Sequence, residues 1–102
     1  MSSDGYSSVK KNILKCLNED RFQHDQRSDI DVKNLLATGE ISKDDVIRLI
    51  KSSSGACHSK SPHHIKPSFM VHVIKNKGWY IKFYFLEVDD IADVSVFISV
   101  HT

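Results

Sequence analysis

Phe69-Met-Val-His-Val-Ile-Lys-Asn-Lys-Gly-Trp-Tyr-Ile-Lys-Phe-Tyr-Phe-Leu86 is the stretch that decides the fold, because its side chains change character every second residue. Phe69, Val71 and Val73 alternate with Met70, His72 and Ile74. After Asn76-Lys77-Gly78, the residues Trp79, Ile81, Phe83 and Phe85 alternate with Tyr80, Lys82, Tyr84 and Leu86. A period of two is the mark of a strand. Two such runs around a short turn with a glycine form a hairpin, Gly78 supplying the positive φ. Downstream of Asp89 and Asp90, a loop leads to a third run in which Val94, Val96, Ile98 and Val100 alternate with Ser95, Phe97, Ser99 and His101. The sequence therefore predicts three or four antiparallel strands after residue 67.

Upstream the period is helical. Val9, Ile13, Cys16 and Leu17 recur at the spacing of one helix face, predicting a helix over about 8–19 with Ser7 or Ser8 as cap. Residues 19–28 read as a polar linker. A short helix is expected over about 30–38, opened by Asp29 and closed by Gly39. Ser42-Lys-Asp-Asp45 approximates a capping box and starts a third helix, to about Ser52, that buries Val46, Ile47, Leu49 and Ile50. Residues 52–67 hold Gly55, Pro62 and Pro67 among Ser, His and Lys, and are expected to be irregular. Helices first and a meander after them make an α+β fold in a single domain spanning 1–102. Trp79, Ile81, Phe83 and Phe85, with Val94, Val96, Ile98 and Val100, are expected to pack on the helices. The other sheet face is then expected to carry His72, Tyr80, Lys82, Tyr84, Ser99 and His101.

Of the 102 residues, 40% are hydrophobic and 26% charged, the balance of a globular domain. No apolar run approaches the roughly 20 residues of a membrane-spanning helix. No leader segment is visible, and the two cysteines make no disulfide framework, so a cytoplasmic protein with no membrane partner is expected. Net charge is only +1, but its distribution is uneven. Between Asp45 and Glu87 there is no acidic residue, while Arg48, Lys51, Lys60, Lys66, Lys75, Lys77 and Lys82 fall there with His58, His63, His64 and His72. A segment of one sign inside a near-neutral chain can face phosphate. Lys60, His63, His64, Lys66, Lys75 and Lys77 are the candidate RNA-binding residues.

Val32-Lys-Asn-Leu35 running to Gly39-Glu-Ile41, Trp79-Tyr-Ile-Lys-Phe83 and Phe97-Ile-Ser-Val-His101 together resemble the MqsR family of toxins, in order and in spacing. The likeness spans about Ile30 to His101 and leaves the first 28 residues outside. It implies a RelE-like fold, with N-terminal helices packed on a twisted antiparallel sheet. It implies a toxin of a toxin–antitoxin system: an endoribonuclease that cuts mRNA without metal or cofactor, held inactive by a cognate antitoxin, with the ribosome as a further candidate partner. Tyr80 matches the position of the family's catalytic tyrosine, and His101 stands where some members carry a functional lysine. The central Tyr-Lys-Ser of some members is replaced in roughly that place by Cys57-His58-Ser59. The preceding strand lacks the family's Trp-Gln pair, His72 being the nearest polar substitute.

Metal-free RNA cleavage needs a base for the 2′-hydroxyl, cationic donors for the phosphorane and an acid for the leaving oxygen. Histidine suits the first and last roles near neutral pH. The candidate catalytic set is therefore His101 with His58 or His72 for proton transfer, Lys82 for charge stabilisation, and Tyr80 for orientation or proton donation. Cys57, His58, His63 and His64 are ligand types that zinc accepts, but their spacing matches no established pattern, and no metal site is assigned. The alternative is a non-catalytic binding protein on the same scaffold, such as an immunity protein or an RNA-binding module.

Overall fold

A computed structural model describes residues 5–24, 34–62, 69–88 and 91–102. These form an α+β fold of three helices and a five-stranded mixed sheet, helices and strands being those found among the described residues. Helix α1 (Tyr6–Asn18) leads into β1 (Phe22–His24). Helices α2 (Leu35–Thr38) and α3 (Lys43–Lys51) follow, and a single 3-10 turn, Gly55–Cys57, precedes β2 (His58–Pro62). Strands β3 (Met70–Asn76), β4 (Trp79–Val88) and β5 (Ile91–His101) complete the chain. The sheet order is β1-β5-β4-β3-β2, with β1 parallel to β5 and all other pairs antiparallel.

Each helix follows from its sequence. Val9, Ile13, Cys16 and Leu17 are all buried, as one apolar stripe of α1 requires. The helix begins at Tyr6, ahead of the expected Ser7 or Ser8 cap, from Gly5, which makes no side-chain cap bond. At α2 the Asn34 side chain accepts from the Ala37 N–H at 3.0 Å, and Gly39 closes the helix at φ +82°. The expected start near Ile30 and the Asp29 cap lie outside the described residues. Ser42 caps α3 as expected, its Oγ accepting from the Asp45 N–H at 3.1 Å. Helices α1 and α3 pack on each other, α1 and α2 also on β5, and α3 on β3. Between these helices and the sheet lies a core of Val9, Ile13, Leu17, Val46, Ile50, Ile74, Ile81, Phe83, Phe97 and Val100.

Four expectations from sequence need correction. The supposed linker contains β1, a three-residue strand defined by pairing with Ser95–Phe97 rather than by any periodicity of its own. The supposed irregular segment 52–67 contains the 3-10 turn and β2, an edge strand whose register on β3 runs from His58–Ile74 to Pro62–Met70. On β5, Ser99 pairs with Lys82 but Phe97 with Phe83, so Ile98 is an extra residue, a β-bulge. The bulge inverts side-chain parity: Val100 stays on the helix side, but from Phe97 back it is Phe97 and Ser95, not Val96 and Val94, that share the helix face with Phe83 and Phe85. Finally, His72 pairs with Phe83 and lies on the helix side of the sheet, not beside Tyr80 and Lys82. The expected loop at Asp89 and Asp90 lies outside the described residues. No helix among the described residues is long and apolar enough to cross a membrane.

Candidate functional site

The five candidate catalytic residues separate into two groups on opposite faces of the sheet. On the face away from the helices, Tyr80 pairs directly with His101, and Lys82 with Ser99. The Tyr80 and His101 rings stack at 4.9 Å with an 18° interplanar angle. Lys75, paired with Tyr80 across the hairpin, holds its Nζ 5.7 Å from the Tyr80 ring centroid, within cation–π range. The His101 Nδ1 lies 3.1 Å from the Thr102 backbone oxygen. Directly opposed residues in an antiparallel pair have Cβ atoms about 4.5–5.5 Å apart, and same-face neighbours along a strand are about 7 Å apart. One phosphate could therefore meet Lys82, Ser99 and His101 together, against the Tyr80 ring.

The hairpin that presents this group is fixed from behind. Lys77 and Gly78 turn the chain at φ +52° and +82°, the left-handed pair that a two-residue hairpin turn demands. Asn76 donates from Nδ2 to the Leu49 carbonyl at 2.8 Å and to Ser52 Oγ at 2.9 Å, tying the turn to the end of α3. A depression of about 320 Å³ at the hairpin tip is lined by Lys75, Asn76, Lys77, Gly78, Trp79 and Tyr80. Lys75 thus adjoins the Tyr80–His101 stack, and Lys77 stands at the tip.

His58 and His72 form the second group. His58 Nε2 and His72 Nδ1 are 3.0 Å apart, one ring donating to the other. Tyr6 stacks on His58 at 4.7 Å and its hydroxyl hydrogen-bonds Ser53 Oγ. His72 packs against Phe83 and Phe85, and only 7% of its surface is exposed. Burial, then the nearby His58 and Lys60, pushes His72 down to about 4. Burial, then Lys60, lowers His58 as well. Both are held neutral near pH 7. His72 is buried, His58 is half-buried beneath Tyr6 of α1, and the two rings are joined to each other. Lys60 is exposed and belongs to this side by its pairing with His72. His63, His64 and Lys66 lie outside the described residues. Among the described residues no group of three or more His, Cys, Asp or Glu side chains comes together as a metal site.

Sequence reasoning missed Tyr6 as the partner of both His58 and Ser53, since nothing in a helical stripe or a Ser-rich segment marks a contact 47 residues apart. It also missed the pairing of His24 with Asn34, whose Nδ1 and Nδ2 lie 3.0 Å apart beside the Phe22 and Phe97 rings. No protein-family profile, curated protein or solved structure matches the chain.

Proposed function

We propose that the chain is an RNA-cleaving toxin of RelE-like fold and MqsR-like type, working through the sheet face that carries Tyr80, Lys82 and His101. The observation that carries this reading is the stacked Tyr80–His101 pair with Lys82 on the adjacent cross-strand position. His101 takes the proton of a 2′-hydroxyl as that oxygen attacks the neighbouring phosphorus. Lys82 stabilises the negative charge of the phosphorane. The bond from phosphorus to the 5′-oxygen breaks, and Tyr80 supplies a proton to the departing oxygen. The products are a 2′,3′-cyclic phosphate and a 5′-hydroxyl. The partners in this reading are mRNA and a cognate antitoxin, in the cytoplasm, with the ribosome as a further candidate.

One observation favours a second reading, a non-catalytic binding protein. With His58 and His72 turned toward the helices, the far face keeps a single imidazole among the described residues, and binding needs no proton-transfer pair. The two readings part in one assay. Purified protein incubated with a long RNA in EDTA is expected to generate fragments with cyclic-phosphate ends, and its expression alone to halt growth. Intact RNA and unimpaired growth, with the folded protein present, would leave the binding reading. Activity lost in EDTA and restored by zinc would move the chemistry to Cys57, His58, His63 and His64.

A further inference from the structure

We propose that Ser99 completes a phosphate-binding site with Lys82 and His101, its hydroxyl being the third donor to the anion. Ser99 was not among the residues marked by the family likeness for chemistry, yet its position is unusual. It is 8% exposed. The same strand supplies a contrast: the Ser95 Oγ is buried without a partner among the described residues, and it lies on the helix face, sealed beneath the core. Ser99 is on the other face, directly across from Lys82, with His101 two residues along. The bulge at Ile98 sets this arrangement, since it lets Phe97 and Val100 both reach the helix-side core while Ser99 and His101 stay on the far face.

Charge favours an anion there. Lys82 makes no ion pair among the described residues, and Lys75 sits over the neighbouring Tyr80 ring. Trp79 to Leu86 of β4 and Val94 to His101 of β5 contain no carboxylate. A hydroxyl, an ammonium and an imidazole grouped across one cross-strand pair and its neighbour suit a tetrahedral oxyanion. The phosphate could belong to an RNA backbone or to a small phosphate compound. The RNA source rests on the reading of this face given above; the phosphate site itself does not.

The test is titration of ¹⁵N-labelled protein with inorganic phosphate and, separately, with a short 2′-O-methyl RNA that cannot be cleaved. Both probes are expected to shift Ser99, Lys82 and His101. Ser99→Ala is expected to weaken both by about ten-fold or more, the worth of a hydrogen bond to a charged group. Ser99→Thr, which keeps the hydroxyl, should bind within about three-fold of the parent, whereas the isosteric Ser99→Val should behave as Ser99→Ala, so the Thr and Val pair decides even if alanine unfolds the strand. Phosphate affinity equal in the Thr and Val variants, or shifts confined to Lys60 or to Lys75 and Lys77, would overturn the site. Shifts with inorganic phosphate but not with RNA assign the site to a small phosphate compound. Ser99-dependent phosphate binding in a protein that leaves RNA intact would keep this site and remove the nuclease reading. RNA cleavage indifferent to Ser99→Val would do the reverse.

Discussion

Two pairs of stacked rings lie on opposite faces of one sheet. His58 and His72, on the helix side, are bonded to each other, covered by Tyr6 and backed by Phe83 and Phe85. Tyr80 and His101, on the far side, are joined by Lys75, Lys82 and Ser99. The difference teaches that residue type alone does not make an acid or a base. A histidine whose nitrogen is spent on another histidine and whose ring is packed under a helix stabilises the neutral fold. In the proposed reading, a histidine set against a tyrosine, with an ammonium on the next cross-strand pair, meets a phosphate.

The most damaging change should be one that removes the layer both pairs rest on. Phe83 is fully buried and touches His72, Phe85 and Phe97. Phe83→Ala is expected to cost about 3–5 kcal/mol in urea unfolding, and both faces should fail together. A loss confined to one face would show that the two groups are less coupled than the packing indicates.

The helix-side pair can be isolated by pH. His72 is neutral in the fold, at about 4 against an ordinary 6.5. Between those values the unfolded chain binds a proton that the folded chain refuses, so stability falls as pH drops through this window. The full loss below pH 4 is about 3 kcal/mol at 1.36 kcal/mol per unit. Above pH 6.5 the group contributes no pH dependence. Urea melts of His72→Leu should flatten this acid limb relative to the parent. An unchanged limb would assign the acid sensitivity to other groups.

Smaller effects test how the far face is held. Asn76→Ala removes the two bonds from the hairpin to α3 and is expected to cost about 1–2 kcal/mol, with RNA affinity falling as Lys75 and Lys77 lose their fixed position. Melts and binding measured on the same variant check both halves. Ser42→Ala deletes a helix cap remote from either pair; it should cost about 1 kcal/mol and leave RNA binding unchanged.

The hairpin and α3 were legible because their signals are local: alternating side chains around Lys77-Gly78, and a cap three residues before Asp45. The side on which His72 lies was not. Strand β3 is apolar on both parities, Val71 and Val73 on one and Ile74 on the other, so alternation cannot say which meets the helices. The face of Val94 and Val96 was lost to the bulge at Ile98, which no residue type announces. Strand β2 reads His-Ser-Lys-Ser-Pro and carries no apolar face. It is a strand because β3 offers an edge, and its Pro62 sits at the end, where a missing N–H is tolerated. Tyr80, Lys82 and His101 could be placed together because the sequence pairs them across a hairpin and a closing strand. His58 and His72 could not be set apart from them without the register.

The most direct measurement of the central claim is the single-turnover rate of RNA cleavage in EDTA for Lys82→Ala, His101→Ala and His72→Leu beside the parent. Lys82→Ala and His101→Ala are expected to lose roughly a hundred-fold or more in rate while melting within about 0.5 kcal/mol of the parent. His72→Leu should cleave at close to the parent rate at pH 7. The account is contradicted if His72→Leu abolishes cleavage while Lys82→Ala and His101→Ala leave it intact, for then the chemistry lies on the helix side of the sheet.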